Sequence, residues 1–181
     1  MTGAGIGLAL VGSPCTGSQR RQTRRVLKQG DKIDVGGKQE KTIDKAYELG
    51  YEYEKKYGGC AQCAVAALQD AIPFVPRHQG VFRAASCLDG GATPTGLQNC
   101  GAFTGSAMVI GHLCGRTRKK EFQGGSGFSH SLIRKVYQQF KEEYGSVLCQ
   151  DVRKGAQGDC PKVVARAAKW TAEVLLKEFA D

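Results

Sequence analysis

Cys60 and Cys63 stand as a Cys-x-x-Cys pair directly behind Gly58-Gly59, at the start of a helical pattern. A helix N-terminus carries unpaired N–H groups and the positive end of the dipole, and both stabilise a thiolate. Such a pair can be a dithiol, two metal ligands, or a nucleophile with a bystander. Cys100, in Gln98-Asn99-Cys100-Gly101-Ala102, and Cys160, before Pro161, also fall at expected helix starts. Cys149 lies on a short expected connector between them, well placed to join the same site. A thiolate-bound metal or cluster is anionic, and converging helix N-termini would stabilise it. Cys60, Cys100, Cys149 and Cys160 are therefore the expected metal-ligating set. Cys60 and Cys63 are the expected catalytic pair if the chemistry is thiol exchange. For each cysteine alone the simpler reading is an inert buried thiol.

Two chemistries fail on context. A thioredoxin-like dithiol needs a βαβ pattern before it, and none precedes Cys60. Attachment of c-type haem needs histidine directly after the second cysteine, and that residue is Ala64. Of the remaining cysteines, Cys87 ends a short helix before a glycine loop and is a candidate fifth ligand or resolving thiol. Cys114 falls at a helix C-terminus, where the dipole disfavours thiolate, and reads as packing. Cys15 lies in the N-terminal leader. His112 and His130 read as structural.

The elements that must position these thiols are helices. From Lys41 onward Ile43, Ala46, Tyr47, Gly50, Glu54 and Tyr57 recur at helical spacing, and Gly58-Gly59 stops the segment. A second helix over 60–72 is apolar nearly all round, so it is expected to be buried on most sides. Pro73 and Pro76 end it. A short helix over 79–88 leads into the turn-rich loop 89–96. Asn99 is a candidate cap for a helix over 100–114, which carries Gly101, Gly105 and Gly111. Each glycine costs up to about 1 kcal/mol relative to alanine, which a sequence tolerates where a backbone or a bulky group approaches closely. Gly101 and Gly105 share one face with Cys100 at its edge, which makes both candidate cofactor-binding residues, or sites of tight helix packing. Ser129 is the expected cap of a helix ending at Gly145. A last helix follows Pro161, which suits a first helical position, with Asp159 or Cys160 as its cap. No β-pattern competes. The expected fold is all-α, a single compact bundle of about five helices over 42–181.

The chain has 181 residues, 41% of them hydrophobic, enough for a core that needs no disulfide staples. Eight cysteines in such a chain then point to chemistry rather than to a disulfide framework. With three histidines, cysteine would do most of any ligation. The formal charge of +9 is uneven: residues 1–41 hold eight Lys/Arg against three acidic residues. No aromatic residue is interleaved with Arg20, Arg21, Arg24 and Arg25, so there is no stacking platform for bases and no nucleic-acid partner is expected.

Residues 1–41 read as an export-signal remnant followed by a basic linker, disordered or a leader. Met1–Val11 is small and apolar, too short for a membrane span of about 20 residues, and is similar to the tail end of a twin-arginine export signal. The arginine pairs follow it rather than precede it. The expectation is that Met1 is internal, with an in-frame Arg-Arg segment upstream and an exported, periplasmic protein. The alternative is a cytoplasmic protein with a disordered tail.

The motif order resembles the family named for its C-GCAxxG-C-C cysteine pattern. Gly59-Cys60-Ala61-Gln62 matches the first element and Cys100-Gly101-Ala102-Phe103-Thr104-Gly105 the central motif. Cys149, behind Phe140-Lys141-Glu142-Glu143-Tyr144-Gly145, matches the third, and Cys160 before the final helix the fourth. The resemblance spans roughly 42–179. Gly59 replaces the family's usual asparagine, and Cys63 and Cys87 are additional. The family is similar to the cysteine-cluster domain of split-Soret cytochromes, which implies a pocket able to hold an iron–sulfur centre.

The expected function is redox activity at the four-cysteine site, first as an electron carrier with a 2Fe-2S or 4Fe-4S cluster. A thiol–disulfide protein with Cys60 as reactive thiol comes second, and a structural zinc site third. A disulfide-stapled binding module is the weakest alternative. A redox partner protein is expected; whether the chain is an enzyme, and whether it forms a homodimer, stay open.

Overall fold

A computed structural model of the chain describes residues 26–118 and 125–181. The export-signal reading, Cys15 and the Arg20–Arg25 patch lie outside the described residues.

Seven α-helices and one 3-10 turn make up the described body, and no strand occurs among the described residues. Helix α1 (Gln39–Tyr57) buries Thr42, Ala46 and Gly50, four residues apart on one face, and stops at Gly58, whose positive φ (65°) favours glycine. α2 (Cys60–Ala71) buries residues on most of its faces, as its composition requires. α3 (Gln79–Ala84) runs into a 3-10 turn at Ala85–Cys87. Then come α4 (Gly101–Cys114), α5 (Gly127–Tyr144), the short α6 (Cys149–Gly155) and α7 (Cys160–Phe179).

α7 is the axis of the body and touches α1, α2, α4 and α5. Val164, Ala168, Leu175 and Phe179 are fully buried along it, and Leu68, Ile110, Leu132 and Phe140 meet them from the surrounding helices. The α1–α7 contact is close because residue 50 is glycine: a Cβ there would lie 3.0 Å from the Ala165 Cα.

The all-α expectation holds, with seven helices in place of about five. The seven-residue α6 occupies what reads in sequence as the connector around Cys149, since two turns are too short to show a period. Ser129 does not cap α5. It sits in the first turn and its hydroxyl donates to the Ser126 carbonyl at 2.9 Å. Asn99 does not cap α4 either: Cys100 is the N-cap, and Asn99 pairs with Leu148 in an isolated antiparallel bridge. Residues 26–38, read from sequence as linker, pack on the body. Leu27 N–H donates to Leu113 O at 2.9 Å, and Ile33 bridges to Ala180 beside the end of α7. No described helix is long and apolar enough to cross a membrane.

Candidate functional site

The Asn99–Leu148 bridge is what brings two of the cysteines together. Cys100 N–H donates to Val147 O at 2.8 Å, Cys149 N–H to Gln98 O at 2.8 Å, and Gln150 N–H to Gly96 O at 2.9 Å. The starts of α4 and α6 are thereby pinned side by side. Gly91 (φ +78°) closes on the same place, since a Cβ there would meet Cys149 Cβ at 2.9 Å.

Cys60 joins them through the packing of α2 on α4. At Gly101 an added Cβ would lie 2.3 Å from the Cys60 sulfur, and at Gly105 it would lie 2.5 Å from Ala61 O. Both glycines serve close helix approach, and at Gly101 the approaching group is itself a candidate ligand. Asp89, from the loop after the 3-10 turn, accepts a 2.8 Å bond from Ala61 N–H, so α2 is capped by a carboxylate distant in sequence. α7 starts at Cys160, with Asp159 accepting from Lys162 N–H at 3.1 Å and Pro161 in its first turn. Each of the four expected cysteines therefore sits at the first residue or cap of a helix, Cys149 included.

Cys60, Cys100 and Cys149 lie near enough to influence one another's ionisation, and Cys160 feels Cys149. Cys63 sits beside Cys60, with its thiol donating to Gly58 O at 3.0 Å. Cys114 is apart at the C-terminal end of α4, bonded to Ile110 O at 3.1 Å, and Cys87 is exposed on the 3-10 turn. All described cysteines are free thiols.

The expectation that helix starts would lower the thiol pKa values is reversed here by burial. Desolvation, joined by the negative charges of Glu54 and Asp89, pushes Cys60 up to about 12. Cys63 rises to about 12 through burial and the adjacent Glu54, and Cys100 to about 12 through burial. Cys149 and Cys160 are raised as well, again chiefly by burial. Backbone N–H groups do act on the sulfurs, from Gly90 toward Cys60 and from Ala102 and Phe103 toward Cys100, but they do not outweigh the loss of water. These are thiols that keep their protons at neutral pH until a cation displaces them.

Two acidic groups that the sequence did not single out belong to this site. Glu54 acts on Cys60, Cys63 and Cys160, and Asp89 on Cys60 and Cys63. Glu54 left a trace in the sequence, as a charged residue in the otherwise apolar stripe of α1. Asp89, inside a turn-rich loop, left none.

Among the described residues no three His, Cys, Asp or Glu side chains are grouped tightly enough to hold a single metal ion.

The sequence matches over residues 59–174 the family described as "Putative redox-active protein (C_GCAxxG_C_C)". The chain belongs to this family. The C_GCAxxG_C_C match spans all four expected ligands and both glycines of the central motif. No curated protein matches the sequence. Among solved structures the chain is similar to the split-Soret cytochrome c from Desulfovibrio desulfuricans ATCC 27774, described as having a novel iron centre. The TM-score is 0.57 at 16% identity, covering 83% of this chain and 71% of that one. At that identity the likeness shows a shared fold.

Proposed function

We propose that this redox-active protein is an electron carrier whose iron–sulfur cluster is held by Cys60, Cys100, Cys149 and Cys160. The observation that carries the reading is the close approach at Gly101. A Cβ there would lie 2.3 Å from the Cys60 sulfur, so a residue larger than glycine fits only if that sulfur moves. The N–H groups from Gly90, Ala102 and Phe103 suit the reading, because hydrogen bonds to ligand sulfurs help set a cluster's potential. The helix starts of α2, α4 and α7 add partial positive charge toward an anionic centre. The iron centre of the split-Soret cytochrome neighbour is in keeping with this assignment.

The high thiol pKa values favour ligation over a thiol–disulfide role for Cys60 and Cys63, which would need a ready thiolate. Electrons would pass at the open cleft of about 590 Å³ that Cys149 lines together with the exposed Arg153 and Lys154. That rim suits a redox partner with an acidic face.

Anaerobically purified protein should show charge-transfer absorption in the visible that bleaches reversibly with dithionite. Cys100→Ser should remove it. A colourless protein after cluster reconstitution, or a Cys100→Ser variant with an unchanged spectrum, would overturn the proposal.

A further inference from the structure

The cleft beside Cys149 has the size of a small-molecule site, at about 590 Å³. Its polar lining comes from Arg153, Lys154, Gln150, Gln157 and Thr95, and no acidic residue lines it. Cys149 and Arg153 stand four apart on α6, so both face the cleft from one side of that helix. Neither Arg153 nor Lys154 has an ion pair among the described residues. The acids nearest in sequence are turned elsewhere. Asp89 accepts from Ala61 N–H at 2.8 Å, Asp151 from the Ser146 hydroxyl at 2.8 Å, and Asp159 from Lys162 N–H at 3.1 Å. Two cations are thus left uncompensated at a concave surface, with the amides of Gln150 and Gln157 as neutral donors beside them. The Thr95 hydroxyl accepts from Leu97 N–H at 3.3 Å and keeps its own proton to give.

Backbone strain points to the same place independently. Among the described residues the non-glycine positions with positive φ are Ala92 (44°), Thr93 (61°) and Gln157 (53°). Gln157 lines the cleft, and Ala92 and Thr93 lie between Gly90 and Pro94, which line its other wall. Such backbone is disfavoured for any residue with a Cβ and tends to gather where a ligand is clamped. We propose that this cleft is a seat for a carboxylate, with Arg153 as the two-pronged anchor and Lys154 as the second charge, in front of Cys149. Guanidinium and carboxylate match in plane and spacing, which an ammonium does not. The carboxylate can belong to a small free acid or to a side chain of an acidic partner. The seat is read from the cleft alone and stands whatever the four cysteines hold.

The test is protection of a thiol. The metal-free chain is treated with iodoacetamide, whose carbon takes the thiolate sulfur as iodide leaves, and alkylation of Cys149 and of the exposed Cys87 is followed by mass spectrometry. Citrate serves as the free acid and a hexaglutamate peptide as the protein-borne one. Either probe should slow Cys149 several-fold, saturably, and leave Cys87 unchanged. Arg153 is exposed, so Arg153→Gln should keep the fold and raise the protecting concentration by about 10-fold or more. Protection by citrate places the carboxylate on a free acid, and protection by the peptide alone places it on a partner; both support the seat. Should Cys149 resist alkylation, the same probes are read as a rise in Tm that Arg153→Gln diminishes. No effect of either probe, equal slowing of Cys87, or an effect unaltered in Arg153→Gln overturns the proposal and leaves the cluster reading untouched. A chain that seats citrate but takes up no iron does the reverse.

Discussion

Gly101→Ala is the smallest change that tests how the site is built. The added methyl would lie 2.3 Å from the Cys60 sulfur, 3.0 Å from Leu88 O and 3.1 Å from Ala61 N. Ordinary contact between such atoms is about 3.5–4.0 Å, so the sulfur is too near by more than an ångström and both backbone atoms by less. Relief requires the α2 start and the Cys60 side chain to move away from α4. Overpacking of this kind costs about 1–3 kcal/mol, against a helix-propensity gain of at most about 1 kcal/mol, which is smaller at a first helical residue. The net is a loss of roughly 1–2 kcal/mol, or about 2–8 °C in Tm for a chain of this size. Gly111→Ala is the internal control: in the same helix, its Cβ meets nothing within 4 Å, so it should be neutral or stabilising by up to about 1 kcal/mol. Thermal melts by far-ultraviolet circular dichroism and iron content after reconstitution would be read on both variants. Gly101→Ala should lose stability and most of its iron while Gly111→Ala keeps both. A Gly101→Ala protein that melts and loads like Gly111→Ala would refute the reasoning.

Three further outcomes are expected. Raised thiol pKa values make the metal-free protein pH-sensitive in one direction: the unfolded thiols ionise near 9.0 and Cys60, Cys63 and Cys100 not until about 12 when folded. Stability is therefore full below pH 9 and falls toward pH 12, by up to about 1.4 kcal/mol per pH unit for each fully buried thiol, as urea melts at successive pH values would show; a flat profile would contradict the burial argument. Asp89→Ala removes the acceptor for Ala61 N–H at the start of α2 and should lower stability by about 1 kcal/mol in a denaturant melt. Cys87→Ser, at an exposed thiol on the 3-10 turn, should leave the visible spectrum and iron content unchanged, where Cys149→Ser should deplete both.

The longer helices, and the helix starts at Cys60, Cys100 and Cys160, were legible in the sequence because each carries a local signal. The stripe of α7, the apolar run of α2 and the glycine stops at Gly58 and Gly145 all report on residues a turn or two apart. α6 was not legible, since seven residues hold too little period. The Asn99–Leu148 bridge and the Asp89 cap were hidden for another reason: both join segments far apart in the chain, and neither side has a distinctive composition. Thiol ionisation failed as an inference because helix starts are visible in sequence and depth of burial is not. Glu54 was in view throughout, as the charged member of an apolar stripe, but its meaning depends on what α2 and α7 place around it.

The most direct measurement is iron and acid-labile sulfide counted per chain in protein purified without oxygen. Both are expected in comparable amounts, at two or four atoms each for a 2Fe-2S or 4Fe-4S cluster, with zinc near zero. Stoichiometric zinc without sulfide, or neither metal after reconstitution, would contradict it.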